Sequence, residues 1–359
     1  MSGSLKATDV MVKHGTSLEL PLEHQNDYLT PVNRFFVCNS GSSPEISIED
    51  YTLRIWGDGV DQEISMSYPD LLAMPQHKVA AVIECAGNHR ALFHEIDGKR
   101  IETPPGTAEL IWSTGAVGMA QWEGVQLADV LAKAGLKSCA RYVCATGSEK
   151  DSVEGSVRMP MPIDKAQDPN TVLALQMNSN PLSVDHGYPV RVLVPGWIGA
   201  YSIKWVQDIE ISCHPIWVRR NTESYVMMGD EWPPKKYAPS KGKPITQLNI
   251  KSALALPRPA RLAKGVHRLY GYARSPGKKI ATVLWSENQG HSWSDAMLIS
   301  DNEIYGWVRF AFDWHAQSGE HSIMTKAVDE SGETQPDKVA FNTAGYLYNA
   351  VYPHAILVE

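Results

Sequence analysis

The 359-residue sequence has no apolar run approaching the roughly 20 residues that a bilayer span needs, so no membrane helix is expected. It has no surplus of positive charge either. The 33 Lys and Arg stand against 40 Asp and Glu, a net charge of −7. A general nucleic-acid or anionic-membrane binder needs a basic surface, so neither is an expected partner. Residues 1–15 carry no apolar signal core and no twin-arginine pair. That points to a cytoplasmic protein, or a periplasmic one if an export leader has been removed. Cysteine is scarce. Five at irregular spacing make no disulfide framework. They read as reduced thiols, one of them a candidate ligand or nucleophile. There is no internal repeat and no low-complexity tract. What the chain does hold is material for a core, with 43% hydrophobic residues and a length of about two domains.

The first fifty residues read as irregular, with Pro21, Pro31, Pro44 and a Gly/Ser loop at 39–44. A strand is predicted over 51–56. A short helix opens at Ser67, with Pro69 in its first turn. A compact apolar strand covers 78–83 and runs into Glu84-Cys85-Ala86-Gly87-Asn88-His89-Arg90. A helix over 127–134 is stopped by Gly135. Buried strands are predicted over 188–194 and 202–211. Strands, short helices and long loops without a regular βαβ rhythm favour an α+β fold. Residues 232–244 are rich in Pro and Lys and read as a linker. Short strands with frequent turn signals then fill the rest. They suggest an all-β, immunoglobulin-like sandwich. The division is therefore 1–240 and 241–359.

Two constellations carry candidate chemistry. Cys85 ends an apolar strand at a Gly-containing turn, where a thiol is either presented to a ligand or buried as a structural residue. His89 and His94 lie near it, but the spacing fits no standard zinc pattern. The second constellation is His186, Arg191 and Lys204 around two strands and a Gly-rich turn. These groups either converge on a phosphate or are solvated charges flanking core strands.

Four blocks then fix a resemblance. They are ECAGNHR (84–90), STGAVGMAQWEGVQLADVLAKAGL (113–136), DHGYPVRVLVPGWIGAYSIKWV (185–206) and QPDKVAFNTAGYLYNA (335–350). In this order and spacing the chain resembles the sulfite oxidase family of molybdenum enzymes, from about residue 20 onward. The resemblance implies a molybdopterin-binding α+β domain followed by an immunoglobulin-like dimerisation domain, hence a homodimer. It implies that Cys85 is the metal's thiolate ligand, a soft donor suited to a metal that changes oxidation state. It implies that the cofactor's polar groups are received by His186, Arg191 and Lys204, with Ser202 and Ile203 beside the Lys. Phe35, Phe36, Val37, Cys38 and Asn39 match the family's early cofactor-binding segment. Glu149 falls where the family usually has Asp.

The departures concern the substrate pocket. Cys38 stands where animal and plant sulfite oxidases carry an Arg, Ser40 where they carry a His, Thr222 where they carry a Tyr, and Ala344 where they carry a second Arg. Arg90 matches a third pocket Arg, while His89 replaces the Arg before it. Tyr225 is a candidate substitute for the lost Tyr. Cys85, Arg90, Cys38 and Thr222 are thus the candidate catalytic positions, in a pocket that has lost two fixed positive charges. No Cys-x-x-Cys-His haem site, cytochrome b5 region, flavin domain or nicotinamide domain is recognisable, so electrons are expected to leave to a separate acceptor or to oxygen. The resulting reading is a molybdopterin-dependent oxidoreductase. It performs two-electron oxygen-atom transfer on a small oxo-substrate, sulfite or a related sulfur compound. The alternatives are a sulfane-sulfur dehydrogenase or other oxo-substrate enzyme on the same fold, a non-catalytic binding protein that kept the fold, and, last, a zinc hydrolase. Exposed aromatics such as Tyr346, Tyr348 and Tyr352 are expected to seal the dimer.

Overall fold

The computed structural model describes residues 6–7, 9–102, 111–149 and 155–359. Part of the stretch read for an export signal, residues 1–5 and 8, lies outside them. The local signals produce the elements they predict. Ser67 caps the Tyr68–Leu72 helix in a reciprocal capping box with Asp70, and Pro69 occupies the first turn. The Leu127–Lys133 helix turns three apolar residues inward and ends before Gly135 at φ +71°, a backbone angle that glycine adopts without cost. The apolar run after Met74 becomes the nine-residue strand Gln76–Glu84, whose last four residues are buried or nearly so.

The first region contains two five-stranded sheets. In one, Asn180–Pro181, Val172–Met177, Val117–Gln126 and Gln76–Glu84 lie side by side, antiparallel, with Arg191–Leu193 joined to Val172–Met177. In the other the order is Ile64–Ser67, Thr52–Trp56, Val206–Ser212, Tyr142–Gly147, Arg158–Pro162, with one parallel pairing, between Thr52–Trp56 and Val206–Ser212. The largest apolar cluster packs around Leu53, Ile55, Val130, Val192 and Ile209. The helices are four to seven residues long where they are α-helical, so strand dominates the α+β mixture. Residues 251–358 build an eight-stranded, all-β arrangement with its own core around Phe310, Trp314, Val283 and Ile356.

Several expectations are corrected. The predicted strand over 188–194 is regular only at Arg191–Leu193, and the one over 202–211 begins at Val206. The residues ahead of each bend instead, and this turns His186, Ser202 and Lys204 toward a cleft. The linker is not featureless: Pro234–Tyr237 is helical, and Val226–Met227 pairs with Lys243–Pro244. The cysteines are not all reduced. Cys139 and Cys213 form a disulfide, their Cα atoms 5.0 Å apart, leaving Cys38, Cys85 and Cys144 free. Tyr346, Tyr348 and Tyr352 are buried, not exposed. The segment carrying them leaves the second region and crosses back to the first. There Leu347 N–H donates to the Ala86 carbonyl at 2.8 Å, and the Tyr348 ring meets Phe93 edge-on at 4.8 Å.

Candidate active site

The site is built where the Gln76–Glu84 strand runs out. Cys85 N–H still donates to the Ala116 carbonyl at 3.0 Å, and Asn88 N–H closes a turn onto the Cys85 carbonyl at 3.0 Å. Asn88 braces the turn through its side chain, which donates to Glu84 Oε1 at 3.1 Å and accepts from Ala116 N–H at 3.1 Å. A Cβ at Gly87 would stand 2.3 Å from Arg90 Nη2, so the glycine leaves the guanidinium room to fold back over the loop. Glu84 is buried. Burial alone would raise its carboxyl, but Arg274 and Lys251 overcome this and hold it down at about 2. Lys251 Nζ donates to Oε1 at 2.7 Å and Arg274 Nε to Oε2 at 2.6 Å. Both cations come from the second region.

Cys85 is half-buried and opens into a cleft whose walls come from both regions' segments around it. The Cys38 thiol donates a hydrogen bond to Cys85. This bond pulls the Cys85 thiol down to about 7 against the effect of burial, and Arg90 adds to it. The same contact, with burial, keeps Cys38 protonated well above the usual thiol range.

At one end of the cleft stand His186, Arg191 and Lys204. Arg191 donates to the carbonyls of His186 at 3.1 Å and Ser202 at 2.9 Å. Lys204 Nζ bonds Asn39 Oδ1 and donates to the Asp185 carbonyl at 3.0 Å. Burial pushes Arg191 down to about 9 and Lys204 to about 8, and holds His186 well below its ordinary value. Glu149 Oε1 accepts from the Ser40 and Gly41 amides at 2.5 and 2.9 Å, which pins the 39–41 backbone beside them. At the other end, Arg90, Arg219 and Arg220 line the wall with Tyr225 and Tyr346. The Arg90 guanidinium lies 5.0 Å over the Tyr346 ring, and Arg220 Nη2 donates to Ser40 Oγ at 2.7 Å.

The structure thus gathers Phe35, Phe36, Cys38, Asn39, Cys85, Arg90, Glu149, His186, Arg191, Ser202, Ile203 and Lys204 around one space. Val37 is not among its lining residues: it is buried and paired with Leu18. Nor is Thr222, whose hydroxyl donates to the Val218 carbonyl at 2.8 Å within its own turn. Tyr225 lines the wall in its place. Ala344 is buried away from the cleft, and His89 faces Lys251 and Tyr352. The lining also includes Trp112, which the sequence did not single out, and Tyr346, which it assigned to the dimer surface. Only the position of Tyr346 in the 335–350 block hinted at a place in the site.

The donor set fits a phosphorylated, sulfur-bearing metal cofactor. Among the described residues no three His, Cys, Asp or Glu side chains converge as a metal site, and Cys85 opens into the cleft with the Cys38 thiol beside it. Among the described residues the buried Arg191 Nε meets no hydrogen-bond acceptor, a polar atom left over inside the cation cluster.

Comparison with known proteins agrees with this geometry. Residues 40–217 match the oxidoreductase molybdopterin-binding domain, and residues 242–359 match the Mo-co oxidoreductase dimerisation domain. Mitochondrial sulfite oxidase of Rattus norvegicus is 33% identical over 342 residues, covering 90% of this chain and 60% of the rat protein. The chain therefore spans less than two thirds of that relative. Sulfite oxidase of Gallus gallus is 32% identical, covering 90% of this chain and 72% of its own. The solved structure of the sulfane dehydrogenase SoxCD from Paracoccus pantotrophus superposes with a TM-score of 0.83 at 24% identity, over 97% of this chain and 88% of that one.

Proposed function

The chain belongs to the sulfite oxidase family of molybdopterin-dependent oxidoreductases, and from that premise we propose that it carries out two-electron oxygen-atom transfer on a small sulfur oxyanion. The observation that carries this reading is that Cys85, a buried cation cluster and an arginine-bearing wall line one cleft. The cofactor, when bound, supplies a metal that exchanges an oxygen atom with the substrate and takes up two electrons. The protein's part is to hold it and to bring the substrate up. Cys85 gives the thiolate, with Cys38 Sγ–H as its hydrogen-bond donor. His186, Arg191 and Lys204 would receive the cofactor's phosphate, and Phe35, Phe36 and Ile203 line the same space. Arg90, Arg219 and Arg220 draw an anionic substrate to the other end. We place the domain boundary near residue 240, read the all-β region as an immunoglobulin-like sandwich through which the protein dimerises, and assign electron removal to a separate acceptor. The Cys139–Cys213 disulfide supports an oxidising compartment such as the periplasm rather than the cytoplasm.

The test is composition. Purified protein is expected to hold about one molybdenum and one pterin per chain. Cys85→Ser is expected to keep the fold and abolish turnover, because an alkoxide is a harder donor than a thiolate. Stoichiometric zinc with no pterin released on denaturation overturns the reading.

A second substrate, sulfane sulfur or another larger and less charged sulfur compound, is favoured by one residue. Cys38 gives a neutral thiol where an Arg would pair with a dianion. Each lost charge-assisted hydrogen bond is worth about 1.5–3 kcal/mol, or roughly one to two orders of magnitude in binding. Weak sulfite oxidation with a high KM is expected, and Cys38→Arg is expected to improve it. Steady-state assays with an artificial one-electron acceptor decide this. A low wild-type KM made worse by Cys38→Arg rules out charge loss as the determinant.

A further inference from the structure

Two thiols that lie far apart in sequence meet in the cleft. Cys38 and Cys85 both line it, and both pack against the apolar cluster that includes Phe35, Phe36 and Trp112. Cys38 Sγ–H donates to the Cys85 sulfur. The remaining cysteines make no such pair: Cys139 and Cys213 are already bonded, and Cys144 is buried in the strand Tyr142–Gly147. We propose that in the cofactor-free chain Cys38 and Cys85 are an oxidisable dithiol, and that their disulfide masks the ligand thiol until a reductant opens it.

Three observations support this modification site, which rests on the reading of Cys85 as the metal's ligand. First, the backbone lets the two sulfurs close. Each cysteine stands one residue past a paired position, Val37 opposite Leu18 and Glu84 opposite Val117. Beyond those pairs the chain is irregular over 38–41 and turns over 86–90, so a bond between the sulfurs breaks no strand pairing. Second, both thiols are half-buried and share the cleft lining with Arg90 and Lys204. Nearby cations favour the thiolate, the form that attacks a disulfide. Third, the Cys139–Cys213 bond holds one thiol pair of this chain oxidised, and small disulfides of such a compartment reach an open cleft as well. A lone thiol kept open for a metal is exposed there to stepwise oxidation, and the steps beyond sulfenic acid are not reversed by thiols. Cys38 supplies the reversible branch. The oxidant is a small disulfide such as oxidised glutathione. The Cys85 sulfur attacks it, a Cys85–glutathione bond forms, and one glutathione leaves with the Cys85 proton. Cys38 then attacks Cys85 Sγ, the Cys38–Cys85 bond forms, and the second glutathione leaves with the Cys38 proton. The two cysteines together give up two electrons, and the glutathione disulfide takes them.

The experiment uses the full chain, prepared in a host that makes no molybdenum cofactor and incubated with oxidised glutathione. Freed of glutathione, it is denatured, alkylated without reduction and mapped by mass spectrometry. Wild type is expected to yield a joined Cys38–Cys85 peptide beside the Cys139–Cys213 pair, with Cys144 alone alkylated. Cys38→Ser is expected to carry glutathione on Cys85, for want of the second thiol. Separate glutathione adducts on Cys38 and Cys85, or two unmodified thiols, overturn the dithiol. Cofactor-loaded protein taken through the same steps is expected to show Cys38, Cys85 and Cys144 all alkylated, because the metal holds Cys85. A joined peptide there overturns the parent reading instead. The masking role has its own readout. Oxidised chain, and the same chain after mild reduction, are offered cofactor freshly released from a molybdenum enzyme, and the pterin retained through gel filtration is measured by fluorescence. The reduced chain is expected to retain it and the oxidised chain to lose it, since a disulfide sulfur is no thiolate ligand. Equal retention by the two forms overturns the mask. Retention by neither overturns the parent reading and the mask with it, while the joined peptide still establishes the dithiol.

Discussion

At the scale of single residues, the site is a set of groups held away from their ordinary proton affinities. Lys6, whose Nζ lies 2.6 Å from His186 Nε2, is lowered to about 7 and Lys204 to about 8, chiefly by burial, and the Cys85 thiol to about 7, chiefly by the Cys38 hydrogen bond. All three shifts have the same consequence for the cofactor-free protein. The unfolded chain binds more protons than the folded one between about pH 7 and 9, so stability rises with pH across that window. Above it the raised Cys38 thiol works in the opposite direction. Urea midpoints of cofactor-free protein are expected to increase from pH 7 to 9, and Lys204→Met is expected to flatten the rise. A midpoint that falls across the window contradicts the assignment of these groups. Sequence legibility at this scale was uneven. Cys85, His186, Arg191 and Lys204 could be found because each lies beside a turn signal inside a dense motif. Lys6 could not, because no local pattern links an N-terminal lysine to a histidine 180 residues on. Thr222 was misplaced because position in a motif says nothing about which way a side chain faces. A π-helical turn over Arg220–Ser224 brings Tyr225 to the wall and folds Thr222 onto its own backbone.

At the scale of elements, strands buried on one face and helices with caps were readable from periodicity, as at Thr52–Trp56, Ser67 and Gly135. The cysteine pairing was not, because a disulfide joins residues 74 apart and spacing alone does not encode it. Cys139 follows the 127–134 helix and Cys213 follows the Val206–Ser212 strand, so the bond ties one flank of the first region together. Closing a loop of that length is worth about 4 kcal/mol on the chain-entropy account, with 2–4 kcal/mol the common range. Cys139→Ser is expected to lower unfolding stability by about that amount. Thiol titration of the denatured, unreduced chain is expected to find three free cysteines. Five would return the pair to the reduced state that the sequence suggested.

At the scale of the whole molecule, the dimer surface needs new residues, since the tyrosines expected to form it face inward. Exposed apolar groups gather instead on the second region. Tyr270 and Met297 both pair with the buried Ala311 on the strand between them, and are 40% and 47% exposed. Val266 lies four residues along the same strand face as Tyr270 and is 72% exposed. An apolar row of this kind suits isologous pairing. Sedimentation at micromolar concentration is expected to give a dimer of the 39.7 kDa chain, and Tyr270→Glu with Val266→Glu is expected to give monomer. A dimer that survives the double substitution moves the interface elsewhere.

The buried Glu84 carboxylate also has a bearing on the order of events in the cell. It immediately precedes Cys85, and the cations that neutralise it, Lys251 and Arg274, are translated long afterwards. The Ala86 carbonyl waits still longer, for the amide of Leu347. While a ribosome is still making the first two thirds of the chain, the thiol loop has neither its counter-charges nor its backing. A nascent chain can therefore build the sheets of the first region but cannot yet present Cys85 in its final position. A cofactor that depended on Cys85 would meet its finished setting only after Lys251, Arg274 and Leu347 had been made and folded back onto the first region.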